Sequence, residues 1–153
     1  SVKPEKKVSV QDVIAFQRSL FEGTIYDMTL DKAWLVPNDK DQMVKSPLTT
    51  PFPTRAMREL LNITYRRMVT RGGYGMVAQL RSWLPDPIGG VFWYGVDDTY
   101  FTCYVPFYCG IDAVPDCYAK GSMGEFSWDS AWWVYNFVSN LTYNTWSTSS
   151  PAS

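Results

Sequence analysis

The chain has 153 residues, 46% hydrophobic and 16% aromatic, with 14 basic against 15 acidic side chains for a net charge of -1. That is enough apolar material for a buried core and excludes a disordered chain. With no basic run beyond the Lys6-Lys7 and Arg66-Arg67 pairs, nucleic acid and anionic membrane are not the expected partners, and no apolar run reaches the about 18 residues needed to span a bilayer.

Taken in order, residues 1–8 form a polar lead-in. Ser9 then signals a helix start, because its hydroxyl can cap free amides while Asp12 favours the positive end of the dipole. Val10, Val13, Ile14, Leu20 and Phe21 continue an apolar stripe to Phe21, and Gly23 closes the helix. From Glu22 to Phe52 the pattern is irregular, with a short strand near Trp34 to Val36. A loop of this length is either functional or the mark of a missing partner segment.

Arg55 to Asn62 reads as a helical turn and Ile63 to Thr70 as a strand. Gly72-Gly73 makes a turn into a second strand from Tyr74 to Leu84, ended by two prolines. Val91 to Val96 and Tyr100 to Tyr108 form a hairpin across Asp97-Asp98-Thr99. After Gly124 the period changes, and Ser127 or Asp129 caps a helix to Trp146 with Trp133, Val134, Phe137, Val138 and Leu141 on one face. Residues 147–153 are a polar tail. The order implies an α+β fold, an antiparallel sheet with covering helices.

Histidine is absent, which removes Ser-His-Asp and Cys-His nucleophilic sites and imidazole zinc sites from this chain. Cys103, Cys109 and Cys117 lie six and eight residues apart, which is no zinc pattern; neither metal nor cofactor is expected. They read as ordinary thiols, with one disulfide as the rival in an exported protein. Asp97 and Asp98 are adjacent, so in a strand their carboxylates diverge, and a turn role is preferred. Arg67, Arg71 and Arg81 lie where a guanidinium in a cleft would bind a carboxylate or lower a thiol pKa, against the commoner alternative of an exposed strand face.

FEGTIYDMT (Phe21 to Thr29), QLRSWLPDPIGGVFWYGVDD (Gln79 to Asp98), TCYVPFY (Thr102 to Tyr108) and FSWDSAWWVYNFVSN (Phe126 to Asn140) resemble, in that order, blocks of the cysteine dipeptidase family that includes the lactobacillal dipeptidase A enzymes and the secernins. The resemblance implies an N-terminal nucleophile hydrolase with an αββα sandwich of two antiparallel sheets. It also implies a nucleophilic cysteine at the mature N-terminus whose own α-amine, with an ordinary pKa of about 7.7 to 8.0, serves as base, so that no imidazole is required.

That cysteine is expected upstream of the FEGTIYDMT block, and none of the three cysteines here matches it. Ser1, ahead of a charged, proline-containing lead-in, is not expected to replace it. Residues 9–146 are therefore expected to be a central to C-terminal piece of a peptidase domain, partnered by the rest of that domain, with self-association open. A dipeptide carries an amine and a carboxylate. From charge and placement Asp27 is the candidate for the amine end, and Arg71 or Arg81 for the carboxylate or oxyanion. The alternatives are a non-catalytic, secernin-like scaffold whose exposed aromatic face serves assembly, and a small binding module that folds alone.

Overall fold

A computed structural model describes residues 3–66, 70 and 72–149. The chain is α+β, with antiparallel strand pairing throughout the described residues. It divides into two compact units interleaved along the sequence, one of residues 1–19 and 69–137 and the other of residues 20–68 and 138–153.

The first unit opens with α1, Val10–Gln17. Ser9 and Asp12 form a reciprocal cap: the Ser9 hydroxyl accepts from the Asp12 amide at 3.1 Å, and the Asp12 carboxylate accepts from the Ser9 amide at 2.8 Å. These Ser9 hydrogen bonds hold the Asp12 carboxyl below its usual range. The helix is shorter than its apolar stripe implies. It stops at Gln17 with Arg18 as cap, because the Arg18 guanidinium is drawn away to the carbonyls of Thr99 and Thr102.

The sheet of this unit is built from β3 (Tyr74–Leu80), β4 (Gly90–Val96) and β5 (Val105–Tyr108), while β1 (Leu35–Pro37) and β2 (Met43–Lys45) belong to the other unit. It is an antiparallel meander with β4 at the centre. Tyr74 pairs with Val96 and Leu80 with Gly90 on one side of β4, and Val91 pairs with Tyr108 on the other. The turn between β3 and β4 contains α3, Asp86–Gly89, which begins at the second residue of the Pro-Asp-Pro triplet. β3 stops at Leu80 rather than the expected Leu84, because the chain turns where the Leu84 amide bonds the Arg81 carbonyl; proline, with its fixed φ and no amide, then suits the helix start.

Residues 97–104 join β4 to β5 in a longer connection than the tight hairpin expected of Asp97 to Thr99. Asp97 adopts a left-handed φ of 63°, and the Phe101 and Thr102 amides both return to the Asp98 carbonyl. The connection then folds back over a pair of glycines. Gly75 and Gly95 stand opposite one another in register. A Cβ on Gly75 would overlap the Tyr104 hydroxyl, and one on Gly95 would overlap the Thr102 methyl. Glycine is needed here for close approach rather than for backbone freedom.

Short α4 (Asp116–Ala119) and then α5 (Ala131–Asn144) follow. The first turns of α5, to Phe137, belong with this unit and the remainder with the other.

In the second unit, β1 (Leu35–Pro37) and β2 (Met43–Lys45) form a small hairpin within the stretch expected to be mostly loop. Its turn is organised by Asn38, whose side-chain oxygen accepts from the amides of Lys40 and Gln42, both at 2.9 Å. Trp34, 1% exposed, centres the core with Leu20, Met28 and Ile63. The Trp34 indole donates to the Met28 carbonyl at 2.9 Å, which satisfies its one polar atom. Helix α2, Arg55–Leu61, is capped by Thr54 and ended by Asn62 in the left-handed conformation. Phe52 packs on Tyr143 and on Trp146 of the final short helix α6 (Trp146–Ser149).

Two further sequence-based expectations need correction. Residues 63–66 are irregular rather than the start of a strand, and residues 67–69 lie outside the described residues. The apolar face read for α5 is largely turned outward: Phe137, Val138 and Leu141 are exposed, whereas Ala131 and Ser139 are buried. Periodicity locates an apolar face but not its partner, and here small side chains let the helix backbone approach its surroundings.

Candidate functional site

The stretch from Phe21 to Trp34 is a run of tight turns. Phe21 and Gly23 take left-handed φ values of 63° and 69°. The Thr24 hydroxyl donates to the Phe21 carbonyl at 2.7 Å and accepts from the Tyr26 amide at 3.1 Å. Asp27 caps one 3-10 turn, Met28–Leu30, and Asp31 caps the next, Lys32–Trp34. Short polar side chains do this because they can bond an amide two residues on.

Asp27 does more than cap. Its Oδ1 accepts from the Thr29 amide at 2.9 Å and the Thr29 hydroxyl at 2.8 Å, and its Oδ2 accepts from the Gly23 amide at 3.0 Å. A carboxylate offers about four acceptor positions, so one is left for a further donor. Asp31 accepts from the Ala33 amide at 2.9 Å.

These turns line a cavity of about 410 Å³ together with Thr64 and Arg66. The backbone of Arg66 is held by its amide hydrogen bond to the Met28 sulfur at 3.4 Å, and its guanidinium lies 5.4 Å from the centre of the Tyr26 ring. Asp27, Asp31 and Arg66 thus bring both signs of charge to one cavity within the second unit. A groove of about 470 Å³ beside Ser9, Val13, Val77, Gln79 and Trp93 in the first unit carries no charged side chain in its lining. It has nothing with which to orient a small ionic ligand.

Of the arginines expected to complement Asp27, only Arg81 lies among the described residues. Arg81, in the first unit, donates through its guanidinium to the Ile88 carbonyl and lies 6.0 Å from the centre of the Tyr108 ring, bracing the turn before β4. Its Nε is buried without a partner. Arg71 and Arg67 lie outside the described residues, as does Ser1. The companion of Asp27 in its cavity is Arg66. The sequence singled out Arg66 only as half of a basic pair, and the spacing of Asp27 and Asp31, two caps on successive turns, was the unread signal.

Cys103, Cys109 and Cys117 carry free, exposed thiols. Cys103 lies by Tyr135, whose pKa is pushed up to about 12 by burial first and by its hydrogen bond with Cys103 second. Burial also raises Tyr118, with Cys117 and Cys103 adding to the effect. Tyrosines that hold their protons are no bases for a thiol. Among the described residues no cluster of three or more His, Cys, Asp or Glu could hold a metal ion, and no helix is long and apolar enough to cross a membrane.

The model of peptidase family C69 matches residues 1–153. The chain belongs to this family of cysteine peptidases. No curated protein and no solved structure shows significant similarity to the chain. As a C69 member it is a peptidase, and the four blocks that resemble cysteine dipeptidases lie inside the matched span.

Proposed function

We propose that this C69 chain is part of an enzyme that hydrolyses dipeptides through an N-terminal cysteine supplied from upstream, and that it contributes the wall that binds the substrate's charged ends. The observation that carries this reading is the family match over residues 1–153, joined to a cavity holding Asp27. The resemblance to cysteine dipeptidases implies a thiol whose base is its own α-amine, and a chain without histidine is compatible with that chemistry.

The thiol attacks the peptide carbonyl while the α-amine takes its proton. The tetrahedral intermediate expels the C-terminal amino acid as it receives that proton, and water then releases the acyl group. The spare acceptor position of Asp27 suits the substrate ammonium, which N-blocked peptides lack. Of the carboxylate and oxyanion roles open to Arg71 and Arg81, the oxyanion side is proposed for them, Arg81 having an Nε without a partner among the described residues.

In the full-length enzyme, replacing the upstream cysteine by alanine should abolish dipeptide hydrolysis, and Asp27→Asn should lower kcat/KM on free dipeptides more than on N-acetylated ones. Unchanged kcat/KM for Arg71→Ala and Arg81→Ala, made singly, would remove the arginine assignment.

A reading as an assembly scaffold is favoured by one observation. Phe126, Trp128 and Phe137 are 44%, 63% and 42% exposed, yet pack edge to face with centroids 4.8 to 6.3 Å apart. The gene sequence upstream of Ser1 separates the two readings, since only the enzyme needs a cysteine at a processing site.

A further inference from the structure

We infer that Arg66 is the specificity-determining residue for the substrate's carboxylate, and that with Asp27 and Asp31 it makes one cavity that recognises a short peptide by both charged ends. The inference rests on the hydrolytic reading above and names the side chain that would confine it to dipeptides. Asp27, Asp31 and Arg66 line the same cavity of about 410 Å³, and among the described residues none of them is joined to another charged group in an ion pair. Opposite charges sharing a cavity without closing on each other leave a gap that a ligand bearing both charges can bridge. Two extended residues span about 7 Å, so a free dipeptide can hold its ammonium and carboxylate within one cavity of about 410 Å³, whereas each added residue moves them about 3.5 Å further apart.

The position is built rather than incidental. The Arg66 amide is bonded to the buried Met28, Met28 sits in the turn capped by Asp27, and the Tyr26 ring faces the guanidinium. One folded turn therefore carries Asp27 and anchors the backbone of Arg66. A guanidinium whose donors are free among the described residues offers a bidentate pair to a carboxylate, which a lysine cannot reproduce.

The test uses the full-length peptidase and alanyl-alanine with a reduced peptide bond, which resists hydrolysis, alongside its C-terminal amide. Calorimetry on the wild type should show the acid bound at least about tenfold more tightly than the amide, a discrimination expected of a charged bidentate contact. Arg66→Gln should bring that ratio to about one, with Arg66→Lys intermediate, while Asp31→Asn should weaken acid and amide alike. A wild-type ratio near one, or a ratio unchanged in an Arg66→Gln protein with a wild-type near-UV spectrum, overturns the inference. Should Arg66→Gln fail to fold, the same criterion applies to Arg66→Lys. Intact discrimination without turnover of alanyl-alanine would overturn the hydrolytic reading and uphold the role of Arg66.

Discussion

Asn136, on α5, donates a 3.0 Å hydrogen bond to the carboxylate of Asp97, the left-handed residue that follows β4. Asp97 is buried, so its charge depends on such donors. Asn136→Ala should destabilise the protein by about 2 kcal/mol, the range for a hydrogen bond to a charged group. Chemical denaturation checks this, and Asn136→Asp, which sets two carboxylates together, should cost more.

The glycine pair at the end of the sheet gives a second expectation. Because a Cβ at either Gly75 or Gly95 meets the 97–104 connection, Gly75→Ala and Gly95→Ala should each destabilise by about 1 to 3 kcal/mol through overpacking. Pairing each with Thr102→Ala in a double-mutant cycle locates the clash: Thr102→Ala should relieve Gly95→Ala and leave Gly75→Ala unrelieved, since Tyr104 and Thr99 confront the latter.

In the second unit, Trp34→Phe keeps most of the ring volume and removes the donor to the Met28 carbonyl. The Met28 carbonyl then keeps only the longer 3.4 Å bond from the Asp31 amide, and losing the indole hydrogen bond should cost about 1 kcal/mol. Because the Asp27 turn is built on Met28, amide hydrogen exchange at Thr29 and Leu30 should quicken in this variant. Unaltered protection there would show that the indole does not support the turn.

Tyr135 predicts a pH dependence. Burial raises its folded pKa from 10.0 to about 12. The unfolded chain therefore releases this proton first, and the stability gained from neutral Tyr135 is complete below pH 10 and declines as pH rises toward 12. The denaturation midpoint should fall between pH 9 and pH 11, and Tyr135→Phe should fall less steeply over the same interval. Equal slopes in the two proteins would rule the effect out.

Local chemistry was what the sequence made legible. Ser9 and Asp12 announced the start of α1, the Pro-Asp-Pro triplet marked the turn between β3 and β4, and alternating runs marked β3, β4 and β5. The interiors escaped because they depend on contacts far along the chain. Leu20 and Phe21 fit the stripe of α1, yet the helix ends at Gln17 because Arg18 bonds residues more than 80 positions away. Asp97 and Asp98 were rightly read as turn residues, but the connection's length follows from the opposed glycines, a pairing visible only in register. At the candidate site, Asp27 stood out within a family-like block, whereas Arg66 is joined to it only by the fold of the intervening turns.

The burial of α5 reverses the usual relation between hydropathy and tolerance to mutation. Ser139 is fully buried and Ala131 nearly so, while Phe137 and Val138 look outward. A saturation survey of this helix should therefore find its strictest positions at a serine and an alanine, where added bulk has no room, and its most permissive ones among the aromatics and aliphatics. Substitution scores drawn from hydrophobicity alone would rank these positions backwards.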